Sequence, residues 1–284
     1  MQVFKTAFLM TAMTLLLMLV GNWLGGQTGL AIALLFAAVM NFVSYFYSDK
    51  IALATYQAQP VTREQLPRVY RILESLTARH NLPMPKVYVI PADSPNAFAT
   101  GRNPEHASVA VTQGILGLLD DEELAGVLGH ELGHVRNRDI LISSIAATLA
   151  GAILFLARMA GWAAMFGGYD HDRDRDGGGV LGALVLMILA PLAATLIQLA
   201  ISRSREYAAD ETGADWTGNP QALARALEKL DAYAQRRPLE ATPSTAHLFI
   251  IQPHTREWLS SLFSTHPPIP KRVERLLGRR SVEG

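Results

Sequence analysis

Residues 120–139 read DDEELAGVLGHELGHVRNRD. The stretch is predicted to form a helix from Asp120 to Asp139, with four acids in its first turn, where the helix dipole favours negative charge. On such a helix His130 and His134 lie one turn above the other on the same face, so both imidazoles can reach one point. Glu131 sits beside the first of them.

His130-Glu131-Leu132-Gly133-His134 is the HExxH arrangement of zinc peptidases, in which the histidines hold the metal and the Glu acts as general base on a bound water. The chain has no cysteine, so Cys-ligated zinc, disulfides and thiol catalysis are excluded and any metal must be held by His, Asp or Glu. A catalytic zinc needs a third protein ligand and an open position for water. The best candidate is Glu206, in Ser204-Arg205-Glu206-Tyr207-Ala208-Ala209-Asp210, where Glu206 and Asp210 are again four apart on a predicted helix. Asp210 would then hydrogen-bond a ligand histidine and fix its tautomer. A solvated acidic helix face accounts for the same spacing equally well. The other histidines, His80, His106, His171, His247 and His254, show no ligand spacing.

Upstream, residues 50–140 read as soluble. A helix is predicted from Thr62 to about Arg79, with Leu66, Val69, Tyr70, Leu73 and Leu76 on one face and Thr62 and Gln65 at capping-box spacing. Lys86 to Pro91, Asn96 to Thr100 and Ser108 to Thr112 read as short strands. Downstream, Asn219-Pro220 opens a helix running to about Gln235. A short helix at roughly Arg256 to Phe263 and a basic helix from Lys271 to Arg280 end the chain, and Arg272 is expected on a solvated face.

Half the residues are hydrophobic and only 18% are charged, which leans toward the membrane class. Two apolar stretches, about 6–24 and 29–47, each have the length of a bilayer-crossing helix and no charge. Gly25 to Thr28 join them, so they are expected to form an uncleaved transmembrane hairpin with Trp23, Tyr45, Phe46 and Tyr47 at its ends. Lys5 before it and Lys50, Arg63 and Arg68 after it place both ends on the cytoplasmic side. A second apolar pair, 140–167 with Arg158 inside and 180–201 with Pro191 inside, flanks a loop, Gly167 to Gly179, read as solvated. Two spans return the chain to its starting side, so His134 and Glu206 can meet. Net charge is zero and no nucleic-acid signature appears, so no nucleic-acid partner is expected.

The HELGH helix, a distal Glu206 followed by Asp210, two hydrophobic pairs so placed and Thr265-His266-Pro267-Pro268 near the end together resemble the HtpX family of bacterial heat-shock membrane metallopeptidases, related to the type I CAAX prenyl endopeptidases. The resemblance covers essentially the whole chain. It implies an α+β, mostly helical, gluzincin-like fold: a zincin-like catalytic domain with a small β-sheet and two transmembrane helical hairpins. The implied division is a hairpin at 1–48, catalytic parts at 49–140 and 202–284, and a second hairpin at 141–201. One Zn2+ per chain would be held by His130, His134 and Glu206, with Glu131 catalytic. The segment Asn96-Ala97-Phe98 matches a family edge strand beside the metal, where an extended substrate adds as another strand; the alternative is a turn into a buried strand with Phe98 in the core. His266 matches a histidine near the family's active site that would stabilise the oxyanion, the alternative being an inert histidine in a proline-rich turn; a similar part for Arg272 is the lesser alternative to its solvated basic helix. Implied partners are polypeptide substrates, misfolded or damaged membrane proteins, and the lipid bilayer of the bacterial inner membrane, crossed several times with the active site facing the cytoplasm.

Three rivals follow from the same residues. An intramembrane site-2-type protease places HExxH inside a hydrophobic span, whereas here Asp120 to Glu123 and Arg136 to Asp139 flank it. A CAAX-processing peptidase shares the catalytic parts but has more spans than this chain supplies. A non-catalytic membrane metal-binding scaffold has no need of Glu131.

Overall fold

The computed structural model describes residues 2–146, 148–149, 203–236 and 267–278. Most of the second apolar pair, the 167–179 loop, the 256–263 helix and His266 lie outside the described residues.

Within them the protein is mostly helical with one small mixed sheet. The first helix, α1 (Gln2–Thr55), carries Phe8, Leu19, Ile32, Leu35, Val39 and Phe42 exposed along its length. It doubles back on itself. Asn41 Nδ2 donates to Thr14 Oγ1 over 2.9 Å, although a straight helix would separate residues that far apart by about 40 Å. The reversal falls at Gly26, whose φ of +56° is left-handed. The arm Gly26–Thr55 is the one segment among the described residues long and apolar enough to cross a membrane. The other arm packs Leu9 and Met13 against Ile142, Ile145 and Leu149.

The sheet has the order β1-β2-β4-β3, from β1 (Gln59–Pro60), β2 (Lys86–Ile90), β3 (Ala97–Gly101) and β4 (Ala107–Thr112). β2 and β4 run parallel, Lys86 opposite Ser108, and the flanking pairs are antiparallel. All six residues of β4 are buried, as befits a central strand covered on both faces. Two short elements, β1 and the six-residue α3 (Gln113–Leu118), are absent from the sequence reading, being too brief to show a period. The helix expected from Thr62 begins instead as α2 (Pro67–Arg79). Thr62 N–H does donate to Gln65 Oε1, at 2.8 Å. Pro67, however, drives Leu66 out of helical conformation, so the helix starts at the proline.

α4 (Asp121–Arg136) begins with the complete capping box of Asp120 and Glu123. Leu124, Val127, Leu128, Leu132 and Val135 are buried in the main core with β4, α2 and α6 (Pro220–Arg236). Each such burial contributes about 1.5–3 kcal/mol. Another face of α4 is built of small residues and lies against α5 (Arg203–Thr217). A Cβ on Gly213 of α5 would stand 2.8 Å from His130 N and 3.0 Å from Gly126 O, so these two helices approach closely because Gly213 has no side chain. The last described helix, α7 (Ile269–Leu276), packs against α5 and α6.

Candidate metal centre

The close α4–α5 contact brings two distant parts of the chain onto one point. α4 presents His130 and His134 a turn apart, with ring centroids 4.8 Å apart and planes at 90°. α5 presents Glu206 opposite them. His130 Nε2 and His134 Nε2 are 3.2 Å apart, His134 Nε2 lies 3.5 Å from Glu206 Oε1, and His130 Nε2 lies 3.7 Å from Glu206 Oε2. Four ligands on a tetrahedral zinc, at bond lengths of about 2.0–2.2 Å, stand about 3.3–3.6 Å from one another. The three separations bracket that value, so this donor set fits a zinc-sized ion, and it is the cluster able to hold a metal among the described residues.

Each histidine turns its other nitrogen to a carboxylate. Asp210, one turn after Glu206 on α5, places Oδ1 2.9 Å from His130 Nδ1. The approach lies off the line of an ideal N–H donor, so the contact is chiefly electrostatic. Asp139, just past the end of α4, places Oδ2 3.5 Å from His134 Nδ1. With Nδ1 so engaged, both Nε2 atoms are directed at the common point.

Behind Asp210 stands a residue the sequence reading misplaced. Arg272 of α7 was expected on a solvated basic face; it is fully buried, and its guanidinium grips Asp210 through two bonds of 2.6 and 2.8 Å. The basic composition of α7 gave no sign of this, because the burial depends on α7 docking beside α5. Burial works to raise the Asp210 carboxyl, yet the Arg272 charge and its hydrogen bonds outweigh it and hold Asp210 at about 2. At His134 burial works downward, and the charge of Glu206 with the contact to Asp139 overrides it, lifting the imidazole to about 9. The rise at His134 reflects how strongly the neighbouring carboxylates favour positive charge at this point, which suits a cation.

Glu131 is buried beside the histidines, and burial raises its carboxyl above the ordinary value, with the two imidazoles opposing. Its Oε2 accepts from the backbone N–H of Ala99 in β3, at 2.8 Å. β3 is an edge strand whose other side pairs with β4, so this N–H points away from the sheet and into the site. Asn96, Ala97 and Phe98 are all buried, and Phe98 packs into a core cluster with Ala52 and Leu53 of α1, its ring 5.4 Å from Tyr56. The segment therefore combines a core side chain with a backbone edge at the site. Nothing in the sequence singles out the Ala99–Glu131 bond, and Asp139 is read only as the last residue of a predicted helix that in fact ends at Arg136.

An HExxH helix, a glutamate from a second helix and a neighbouring edge strand define a metallopeptidase. The chain belongs to peptidase family M48, whose model matches residues 63–280. It is 57% identical over 272 residues to a protease HtpX homolog of Desulforapulum autotrophicum, covering 96% of this chain and 88% of that one. It is 58% identical to the homolog of Syntrophobacter fumaroxidans, with 96% and 98% covered, and 52% identical to that of Pyrococcus furiosus, with 96% and 94% covered. Its fold is similar to the crystal structure of Ste24p from S. mikatae, at a TM-score of 0.52 and 21% identity, covering 97% of this chain and 65% of that one. The protein is a membrane metallopeptidase, and M48 peptidases are zinc-dependent in general.

Proposed function

We propose that the protein is an integral-membrane zinc endopeptidase that hydrolyses misfolded or damaged membrane proteins at the cytoplasmic face of a bacterial inner membrane. The observation that carries the catalytic part is the convergence of His130 Nε2, His134 Nε2 and Glu206 on one point beside the buried Glu131. One zinc per chain would be held by those three side chains. When bound, zinc would acidify a coordinated water and polarise the scissile carbonyl.

The chain's own residues do the rest. Glu131, its carboxyl raised by burial, is suited both to take a proton from the attacking water and to return it to the departing amine. Asp210 and Asp139 hold the histidine rings in register. The outward edge of β3 offers the main-chain groups of Ala97 and the carbonyl of Ala99, whose N–H is held by Glu131, for an extended substrate to pair with. Recognition through backbone groups suits substrates of varied sequence. His266 is proposed to steady the developing oxyanion.

The membrane arrangement is a proposal of the same kind. The two arms of α1 are taken as a transmembrane hairpin at 1–48, and 141–201 as a second one, between catalytic parts at 49–140 and 202–284. Lys5, Lys50, Arg63 and Arg68 support cytoplasmic ends.

The test is cleavage of an unfolded model protein by the detergent-purified chain, beside Glu131→Gln and a chelated sample. Glu131→Gln is expected to keep one zinc per chain and lose cleavage by a factor of about 10²–10⁴. Glu206→Ala is expected to lose zinc. Full activity in Glu131→Gln would overturn the base assignment, and unchanged zinc in Glu206→Ala would remove it from the ligand set.

A further inference from the structure

A second cavity, of about 310 Å³, lies away from the metal centre where α1 leaves its apolar stretch and meets the end of the sheet. Tyr45, Phe46 and Lys50 of α1 line it together with Lys86, Arg102 and His106. We propose that this cavity binds the phosphodiester headgroup of an anionic phospholipid.

Position is the first argument. Val39 and Phe42, just before the cavity on α1, are more than half exposed, and Tyr45, Phe46 and Tyr47 follow them as an exposed aromatic cluster. Aromatic side chains at the end of an apolar helix mark the headgroup level of a bilayer. A lipid seated here would lay its acyl chains along the exposed Val39 and Phe42 side and present its phosphate to the cavity.

Charge is the second. Lys50, Lys86 and Arg102 set three cations against the two carboxylates of Asp49 and Glu105. Arg102 can only donate, so His106 Nε2 accepts its 2.8 Å bond, and the remaining proton on Nδ1 serves Asn103 Oδ1 at 2.7 Å. That bond engages a single terminal nitrogen of the Arg102 fork, whose carbon stands 5.8 Å from the centre of the Phe46 ring. A guanidinium held beside an aromatic ring and a histidine is pre-organised for phosphate, and Lys50 and Lys86 in the same lining supply further charge.

Backbone geometry fixes the third. Arg102 follows Gly101, whose φ is +141° and whose missing Cβ would collide with His106 O. Glycine is required there, and it locks the turn that carries Arg102 to the turn that carries His106. The cationic wall is thus built into the end of β3. It does not depend on mobile surface lysines alone.

The proposal rests on Gly26–Thr55 crossing the bilayer. The full chain is reconstituted in phosphatidylcholine vesicles with a minor share of phosphatidylglycerol, extracted, and the co-purified lipid identified by native mass spectrometry. Phosphatidylglycerol is expected to be retained in preference to phosphatidylcholine. A cation near an anionic lipid surface is worth about a factor of five in binding, so Arg102→Gln should cut retention about fivefold and Lys50→Gln, Lys86→Gln and Arg102→Gln together by about a hundredfold. Arg63→Gln, Arg71→Gln and Arg79→Gln together remove the same charge elsewhere and should leave retention unchanged. Equal loss in both triple variants, or no preference between the two lipids, would overturn the site. Displacement of the lipid by millimolar inorganic phosphate alone would make it a free-phosphate site and overturn the lipid assignment. Release of the chain from vesicles by alkaline carbonate would overturn the membrane-crossing reading and this proposal with it. Zinc content and circular dichroism of each variant report that it is folded.

Discussion

The two histidines of the metal centre are supported unequally. His130 faces Asp210 at 2.9 Å, and Asp210 is itself gripped by both arms of Arg272, with all three side chains 3% exposed or less. His134 faces Asp139 at 3.5 Å, and Arg205 Nε stands 3.9 Å from that carboxylate; His134 is 16% exposed and Arg205 12%. The first support is dry and short, the second longer and closer to water. Electrostatic contacts weaken with both distance and solvent, so the two should carry different weights. The physical origin is the packing: Asp210 is on α5, clamped between α4 and α7, whereas Asp139 follows the end of α4, where the chain is heading toward the second apolar pair.

The largest expected effect tests that inequality directly. Removing the carboxylate in Asp210→Ala should weaken zinc binding about 10–100-fold, the usual cost of losing a carboxylate behind a metal-ligating histidine. It also removes the carboxylate that both guanidinium bonds of the buried Arg272 engage, which should cost about 3–5 kcal/mol of stability in the metal-free protein. Asp139→Ala should weaken zinc by less than about tenfold, at the lower end of the same range. Competition titration against a chromogenic chelator and chemical denaturation in detergent measure the two quantities. Equal losses from the two variants would break the comparison.

Arg272 sharpens it. Arg272→Met alone strands Asp210 as a buried anion and should also cost about 3–5 kcal/mol. Arg272→Met combined with Asp210→Asn leaves no uncompensated charge, so the pair should cost less than the sum of the separate changes. Additive costs would mean that Arg272 packs without pairing, contrary to its 2.6 and 2.8 Å bonds.

A smaller effect concerns the helix that carries Glu206 and Asp210 together. Gly213→Ala drives a methyl against His130 N and Gly126 O, both backbone atoms that cannot swing aside. Overpacking of this kind costs about 1–3 kcal/mol. Because α5 must move as a unit, the Asp210 and Glu206 distances should lengthen while the Asp139 contact is spared. Zinc affinity should therefore fall in Gly213→Ala, and a further Asp139→Ala should add its own full effect; a less-than-additive double variant would show that both supports hang on α5.

These residues also divide what the sequence made legible from what it did not. HELGH could be read because helical spacing is local: four residues fix one turn whatever surrounds them. Glu206 and Asp210 could be proposed for the same reason, though their spacing alone left a solvated face equally open. The four acids from Asp120 to Glu123 announced the start of α4, and Asn219 that of α6, where its Oδ1 accepts from Ala222 N–H at 3.0 Å. Arg272 could not be read, since it sits among Lys271, Glu274 and Arg275 on a charged helix and the partner it pairs with lies 62 positions away. The Gly213 approach was hidden likewise, because a glycine inside a helix says that something comes near without saying what. The Thr62 capping signal was read too strongly: the local bond forms, and Pro67 still decides where α2 begins.

The smallest effect is the most direct check on whether these supports act locally. Asp120 caps the same helix that bears both histidines, accepting from Glu123 N–H at 2.9 Å while Glu123 reaches back to Asp120 N–H at 3.0 Å. Asp120→Ala should cost about 1 kcal/mol, the usual worth of a cap. Its zinc affinity should nevertheless match the parent's. The cap lies ten residues from His130, about 15 Å along the axis, and Leu124, Val127 and Leu128, all fully buried between them, hold the helix in register without it. Were zinc to weaken in Asp120→Ala as much as in Asp210→Ala, the histidines would be answering to the stability of the whole helix. The difference between the dry support and the wet one would then have no bearing on the metal.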